Sequence, residues 1–410
     1  MKEPKIRFKG FSGEWKRSTL GDLALFSKGS GYSKSDICKE GTPVILYGRM
    51  YTKYQSVFDE IDTFVNPKDN SVVSKGGEVI IPGSGESPED ISLAAMVKNE
   101  GVILGGDLNI LKFNQKVNDP AFMSMAITYS PTRAELSSYS QGKTVVHLRN
   151  SEIAKGTIRY PDILEQNTIV NYVLSLDAQI SASTSRLASL KQMKAASLQA
   201  MFPQEGETVP KVRFKGFDGE WKKGKLNTFA KRIMRKNSNL ESTLALTIAS
   251  AYGLVSQAEY FNNLVVGSNI QNYYLLKKGE FAYNKSYSNG YPFGSVKRLD
   301  RYEQGILSTL YIVFSIDNSV SSDYITHFFD TTLWHKEIAE RAEEGARNHG
   351  LLNIATRDFF DIYIWMPDSV KEQQSIASFF TSLDRQIALH TQRLEKLKQI
   401  KAACLDKMFV

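Results

Sequence analysis

The sequence contains an internal repeat, and this duplication limits the folds that the chain can adopt. The segment KIRFKGFSGEWK, which starts at Lys5, returns as KVRFKGFDGEWK at Lys211. A second, longer pair of similar segments starts at Glu165 and Glu372, with EQNTIVNYVLSLDAQIS and EQQSIASFFTSLDRQIA. The regions between them align only in scattered places. We therefore predict two related halves that share the repeated segments as a common framework and differ in the regions between them.

The longer repeated segments read as long amphipathic helices. Their apolar residues recur at spacings of three and four, which places them on one stripe of a helix, and neither run contains glycine or proline. A helix of this length leaves its stripe in water unless another helix covers it, so we expect the two copies to pack together as a coiled coil. The residues expected along this contact are Ile169, Leu176, Ile180, Leu187, Leu190, Ile376, Leu383, Ile387, Leu394 and Leu397.

The variable regions contain short runs of β-forming residues broken by Gly, Pro, Asn and Asp, such as TPVILYG and GILSTLYIVF. We predict an α+β class, with an irregular, strand-rich domain in each half. The expected boundaries are a first variable domain at 1–162, a long helix at 163–202, a linker at 203–210, a second variable domain at 211–368 and a second long helix at 369–410.

The charge balance favours a polyanionic partner. The net charge is +7, which suits nucleic acid first and an acidic membrane surface second. The two cysteines, Cys38 and Cys404, lie outside any metal-binding spacing, and a cytoplasmic location is expected. The N-terminus has no apolar signal segment, and no stretch is apolar enough to span a membrane, so no membrane partner is expected.

Motifs for catalysis are weak. SSYSQGKT, residues 137–144, ends like a phosphate-binding loop but has Ser137 where the first glycine is required. GARNHGLL from Gly345 has glycines without the Lys-Thr pair, and PGSGES from Pro82 is a glycine-rich turn. We find no metal-binding or methyltransferase motif, and we expect neither a catalytic residue nor a metal ion.

Basic and aromatic residues alternate in both variable regions, a pattern that suits DNA because cations pair with phosphates and Tyr, Asn and Arg contact bases. The alternative is ordinary half-buried strands with solvated lysines. The candidate DNA-binding residues are Tyr47, Arg49, Lys53, Tyr54 and Lys143 in the first half, and Lys231, Arg232, Arg235, Lys236, Tyr283, Asn284, Lys285, Tyr287, Lys297, Arg298, Arg347 and Asn348 in the second.

The repeated residues resemble those of the specificity subunits of Type I restriction-modification enzymes. The resemblance is carried by the duplicated order of Glu-Trp-Lys at 14–16 and 220–222, Glu-Gln at 165–166 and 372–373, Leu-Asp at 176–177 and 383–384, and Leu-Lys-Gln from 190 and 397. One departure is that the proline before Glu-Gln is set back, at Pro161 and Pro367.

The resemblance implies that each variable domain is a target recognition domain that reads one half of a bipartite, asymmetric sequence in double-stranded DNA. It also implies that the helices form an antiparallel coiled coil, which spaces the domains and docks two methyltransferase subunits, with restriction and translocation subunits joining them. The chain itself would bind no cofactor and have no active site. S-adenosylmethionine, ATP and Mg²⁺ would act on the partners, which methylate adenine N6. The alternatives are a stand-alone DNA-processing enzyme and a coiled-coil scaffold that does not bind DNA.

Overall fold

The chain forms two compact units, each built from one variable region and parts of both long helices. The computed structural model describes residues 3–142, 145–250, 253–261, 269–288, 290–342 and 352–410. Unit 1 comprises residues 1–184 and 392–410, and unit 2 comprises residues 185–391. Each unit thus contains residues from both halves of the sequence repeat.

Unit 1 is an α+β assembly. Two five-stranded sheets have the strand orders β2-β12-β8-β10-β5 and β3-β6-β4-β11-β7, and two shorter ladders join β1 to β14 and β9 to β13. The strands are β1 (Lys16–Thr19), β2 (Ala24–Lys28), β3 (Ile37–Cys38), β4 (Thr42–Ile45), β5 (Val57–Phe58), β6 (Phe64–Val65), β7 (Val73–Lys75), β8 (Glu78–Pro82), β9 (Ser84–Gly85), β10 (Ala95–Val97), β11 (Glu100–Leu104), β12 (Leu108–Phe113), β13 (Val146–His147) and β14 (Thr157–Tyr160). The helices are α1 (Leu20–Leu23), α2 (Arg49–Thr52), α3 (Pro88–Ile91), α4 (Pro120–Tyr129), α5 (Thr132–Tyr139), α6 (Asn150–Ile153) and α7 (Ile163–Ala200), which continues into unit 2.

Unit 2 repeats the plan with a smaller sheet. A four-stranded sheet has the order β16-β23-β20-β21, and two-stranded ladders join β15 to β24, β17 to β18 and β19 to β22. The strands are β15 (Lys222–Lys225), β16 (Ala230–Arg232), β17 (Leu246–Ala249), β18 (Gly253–Ser256), β19 (Tyr274–Lys277), β20 (Phe281–Asn284), β21 (Ser295–Arg298), β22 (Gln304–Leu307), β23 (Ile312–Ile316) and β24 (Tyr363–Met366). The helices are α8 (Gln257–Phe261), α9 (Ser322–Phe328), α10 (His335–Arg341), α11 (Thr356–Phe360) and α12 (Val370–Lys407), which ends in unit 1. The predicted α+β class with repeated halves and long helices is confirmed.

Each long helix is 38 residues long, or about 57 Å at 1.5 Å per residue. Within unit 1, Ile169 and Val173 of α7 belong to the same buried cluster as Leu405 of α12. Within unit 2, Leu190 of α7 belongs to the same cluster as Leu383 of α12. Early residues of one helix meet late residues of the other in both units, so the helices pair in an antiparallel sense.

The residues that follow each helix are anchored in an aromatic core. Phe202, after α7, is fully buried in unit 2, with its ring centroid 5.9 Å from that of Trp221. Phe409, after α12, is buried in unit 1, with its ring 5.6 Å from that of Phe122. The end of each long helix therefore packs in a core with the variable region of the other half of the sequence.

Backbone hydrogen bonds also join the end of each long helix to the other half of the sequence. In unit 2 the amide of Val212 donates to the carbonyl of Ala200 at 2.8 Å, and in unit 1 the amide of Ile6 donates to the carbonyl of Lys407 at 3.1 Å. Ile6 and Val212 occupy the same position in the repeated segments that start at Lys5 and Lys211, which we call the entry motifs. Among the described residues, no helix has both the length and the apolarity that crossing a membrane requires.

We predict that Phe202→Ala will loosen unit 2 and that Phe409→Ala will loosen unit 1. Truncating a buried phenylalanine costs about 3–5 kcal/mol of unfolding free energy, because packing is lost and a cavity remains. Hydrogen exchange measured peptide by peptide should show faster exchange in β16, β20 and β23 for Phe202→Ala, and in β2, β8 and β12 for Phe409→Ala. Faster exchange in the opposite unit would contradict this assignment.

Candidate DNA-recognition site and its supporting helices

An arginine in each entry motif is fixed to the start of a long helix. Arg7 contacts both carboxylate oxygens of Glu165 at 2.8 Å, and Arg213 contacts those of Glu372 at 2.7 and 2.8 Å. The glutamates are 2% and 1% exposed, so each needs a charged partner. The hydrogen bond to the glutamate raises the pKa of each arginine. This forked pair explains why the entry motif and the Glu-Gln dipeptide recur together.

Each arginine also closes its own motif. The Arg7 guanidinium donates to the carbonyls of Gly13 and Ser12, and that of Arg213 donates to the carbonyls of Gly219 and Asp218. One side chain thereby holds a tight turn and joins it to the long helix in each unit.

The glutamine of the dipeptide supports the variable domain. Gln166 accepts a hydrogen bond from the amide of Asp119 at 2.8 Å, and Gln373 accepts one from the amide of Ser321 at 2.9 Å. Asp119 and Ser321 are the N-caps of α4 and α9. The side-chain amides of the two glutamines also donate to the carbonyls of the set-back prolines, at residues 161 and 367. The set-back proline therefore serves as an acceptor for the dipeptide.

Two further ion pairs cross between the long helices, one in each unit. In unit 1, Lys401 of α12 pairs with Asp177 of α7. In unit 2, Lys194 of α7 pairs with Asp384 of α12 at 2.7 Å. The aspartates are those of the repeated Leu-Asp pair, and each is matched by a lysine of the opposite copy. Because a shift of one helix along the other would break both pairs, the pairs fix the register.

The pair in unit 2 extends into a partly buried polar cluster. Lys194 also donates to Asp330 at 2.9 Å, and Lys297 donates to the other oxygen of Asp330 at 2.8 Å. Burial alone would raise the pKa of Asp330, but Lys297, His327 and Lys194 outweigh it and hold the pKa well below its usual value. Asp330 is therefore an anion inside unit 2.

The same cluster has the composition of a metal site, which sequence reasoning did not anticipate. Ligand atoms of His327, Asp330 and Asp384 all lie within 4.8 Å of one another. The residues come from distant segments, so no local motif marks them. The ammonium groups of Lys194 and Lys297 already satisfy the Asp330 oxygens, and a metal ion would have to compete with both.

The residues predicted to line the helix contact are buried or half-buried. Their placement is consistent with a contact between the helices, and Ile180, Leu187 and Ile387 are the half-buried members. The buried members are Ile169, Leu176, Leu190, Ile376, Leu383, Leu394 and Leu397.

The candidate DNA-binding residues of unit 1 are largely engaged within the protein. Arg49 and Lys53 both pair with Asp62, and the hydrogen bonds from Lys53 and Arg49 hold the pKa of that carboxyl well below its usual range. Tyr54 donates to the carbonyl of Ala94 at 2.9 Å, and its burial raises the pKa of its hydroxyl. Tyr47 is exposed.

In unit 2, the cationic run at 231–236 divides into exposed members and members engaged with neighbouring side chains. Lys231 and Arg232 of β16 are exposed. Arg235 pairs with Glu280 at 2.6 Å, and Lys236 lies 4.1 Å from the ring centroid of Tyr274.

The second candidate run in unit 2, at 283–298, is anchored mainly through its ends. Tyr283 is fully buried and stacks on Phe359 with ring centroids 4.6 Å apart. Arg298 pairs with Asp300 and Asp323, while Lys297 belongs to the partly buried cluster around Asp330.

The middle of this run is the more accessible part. Asn284 and Lys285 are half-buried, and Tyr287 is exposed. The side-chain oxygen of Asn284 accepts a hydrogen bond from the amide of Ser286 at 3.0 Å, so Asn284 also shapes its own loop. The candidates Lys143, Arg347 and Asn348 lie outside the described residues.

The two interhelical lysines should differ in their effect on stability. Lys194→Met would leave the half-buried Asp330 with one fewer cation, and we expect a loss of about 1–3 kcal/mol of unfolding free energy, between the costs of breaking an exposed and a fully buried ion pair. Lys401→Met removes a more exposed pair, for which we expect about 0–1 kcal/mol. Urea unfolding of both variants measures the difference. Equal losses would show that Asp330 does not depend on Lys194.

Comparisons with known proteins place this geometry in a family. The model of the Type I restriction modification DNA specificity domain matches residues 12–192 and again residues 219–399. Each match begins within an entry motif and ends within a long helix. Comparison with curated proteins gives no match.

A solved structure with low sequence identity shares the fold of this chain. A crystal structure of a Type I restriction-modification S subunit from M. genitalium is 13% identical, with a TM-score of 0.62, and the match covers 100% of this chain and 99% of that one. An HsdS subunit from Thermoanaerobacter tengcongensis is 15% identical with a TM-score of 0.45, over 96% of each chain. The two family matches together span most of the sequence, and the chain belongs to the Type I restriction modification DNA specificity family, whose members are the DNA-recognition components of these systems.

Proposed function

We propose that this chain is the specificity subunit of a Type I restriction-modification enzyme and that it reads a bipartite, asymmetric DNA target. The proposal rests on the observation that the two units share the contacts that attach them to the long helices but differ in their variable regions. The Arg-Glu pair and the glutamine cap recur in both units, whereas among the described residues unit 1 has two five-stranded sheets and the largest sheet of unit 2 has four strands. Two different surfaces on one frame suit two different half-sites.

We further propose the division of labour along the chain. The target recognition domains are residues 1–162 and 211–368, the spacers are residues 163–202 and 369–410, and residues 203–210 link the two halves. The exposed cations Lys231 and Arg232 suit contacts with DNA phosphates, since such contacts position a protein without reading sequence.

The chemistry is assigned to partner subunits. Two methyltransferase subunits would dock on the paired helices and transfer a methyl group from S-adenosylmethionine to adenine N6. Restriction subunits would use ATP and Mg²⁺ to translocate and cut unmodified DNA. The assembly would act in the cytoplasm. The antiparallel, internally repeated helix pair supports the docking of two methyltransferase subunits, because each repeat can offer a similar surface to one copy of the same partner.

The proposal is tested by mapping methylated adenines in a genome where this chain is co-expressed with its methyltransferase partner. We expect one motif with two specific parts separated by a gap of fixed length, and no methylation from either protein alone. A continuous motif, or methylation by the isolated chain with S-adenosylmethionine, would refute the proposal.

Lengthening both helices should lengthen the gap. We predict that inserting four helix-forming residues after Thr184 and four after Thr391 will add about 6 Å, which corresponds to about one or two base pairs. The paired insertion leaves Asp177 opposite Lys401 and Lys194 opposite Asp384. Methylation mapping should show unchanged half-sites and a longer gap, and an unchanged gap would contradict the spacing role.

A further inference from the structure

In unit 1, four loops meet at one end of the sheet with the strand order β2-β12-β8-β10-β5. Strands β2 and β8 end there and β12 begins there, because Asn109 pairs with Lys28 and Leu108 pairs with Pro82 in antiparallel ladders. The fourth loop contains β13, which pairs with β9. We call residues 28–31, 82–87, 105–107, 141–142 and 145–149 the four-loop surface.

The fourth loop is tied to the sheet by backbone and side-chain contacts. His147 pairs with Ser84, and the amide of Leu148 donates to the carbonyl of Gly83 at 3.1 Å. The buried side chain of Asn109 donates to the carbonyls of Pro82 and Leu148 at 3.2 and 2.9 Å. His147 and Leu148 therefore have a defined place on this surface.

Glycines allow the loops to approach this closely. A Cβ atom at Gly29 would lie 1.9 Å from the carbonyl oxygen of Gly105, and one at Gly83 would lie 2.6 Å from the carboxylate of Asp107. A larger residue at Gly29 would force the loops apart, because the atom it meets belongs to the backbone. The glycine-rich turn at Pro82 thus has a structural role, which is to join separate loops into one surface.

The other end of the same sheet is occupied by the long helix. Strand β12 ends at Phe113, and the loop after it contacts Gln166 of α7 through Val117 and Asp119. A six-residue strand spans about 20 Å. Within unit 1, the four-loop surface is therefore separated from the supporting helix by the length of β12.

The four-loop surface carries polar side chains with unused hydrogen-bonding capacity. Gln141, His147 and Arg149 are exposed, and together with Gly142 and Glu152 they line a cleft of about 230 Å³. Within the described part of the chain, the side chains of Gln141 and Arg149 have no hydrogen-bond or ion-pair partner, and only one ring nitrogen of His147 is engaged, by Ser84 at 3.2 Å. Arg49 and Lys53, by contrast, are both paired with Asp62.

Resting on the proposed function, we infer that the four-loop surface reads the bases of one half-site, with Gln141, His147 and Arg149 as specificity-determining residues. A guanidinium suits the two acceptors on the guanine edge, and a side-chain amide suits the donor and acceptor of adenine. The loops present these groups at one end of a rigid sheet, and rigid support is what base recognition requires.

Unit 2 has the corresponding arrangement. Strand β20 ends and β23 begins at the same end of its sheet, since Tyr283 pairs with Ile312. The amide of Leu352 donates to the carbonyl of Lys285 at 3.0 Å, as Leu148 donates to Gly83 in unit 1. Lys285 and Tyr287 therefore lie on the equivalent surface of unit 2.

The inference is tested with Gln141→Ala, His147→Gln and Arg149→Ala, each co-expressed with the methyltransferase partner. Lys112→Ala is the matched control, because Lys112 is an exposed cation near the other end of β12. Genome-wide methylation mapping should show discrimination reduced by about 5- to 150-fold at a base pair of one half-site, with the other half-site and the gap unchanged. The control should retain the wild-type motif.

The outcomes separate this inference from the proposed function. If the wild-type assembly yields no bipartite motif, the proposed function fails. If it yields one, and all three variants keep both half-sites at wild-type discrimination, the four-loop surface does not read bases. Uniformly weaker methylation of an unchanged motif would also overturn the inference, since it marks a phosphate contact. Because the substituted side chains are exposed, circular dichroism should match the wild type.

Discussion

The need to bury an apolar stripe on each of two 38-residue helices is the constraint on which the structure depends. Neither helix meets this need alone, so each is covered in part by the other within each unit. An apolar stripe permits many registers, and the interhelical pairs of Asp177 with Lys401 and Lys194 with Asp384 select one. The variable domains are then attached at fixed points through the buried Glu165 and Glu372.

The two units are alike where they meet the helices and different elsewhere. The forked Arg-Glu pair and the aromatic anchors recur in both, whereas among the described residues the strand count and the partly buried cluster around Asp330 do not. This division is what a two-part reader requires, because the frame must keep its geometry while the reading surfaces differ. Glycines such as Gly29 and Gly83 permit close loop packing in unit 1 without altering the frame.

The long helices and the α+β class could be predicted from the sequence, because apolar periodicity and duplication report directly on burial. The candidate DNA contacts were harder to predict, since a cation in a basic-aromatic run carries no mark of its partner. Asp62 lies opposite Arg49 and Glu280 lies opposite Arg235 only after the chain folds. Tyr283 follows the same pattern as an exposed tyrosine yet fills the core. Gln141 and Arg149 lack any such pattern, and only the convergence of loops brings them together.

The most direct test of the central claim is a chimaera in which residues 16–160, from β1 to β14, are replaced by the corresponding region of a family relative. Methylated motifs are then mapped with the methyltransferase partner present. Separate readers on a common frame predict that one half-site changes to that of the relative while the other half-site and the gap stay the same. A change in both half-sites, or in the gap, would contradict the account.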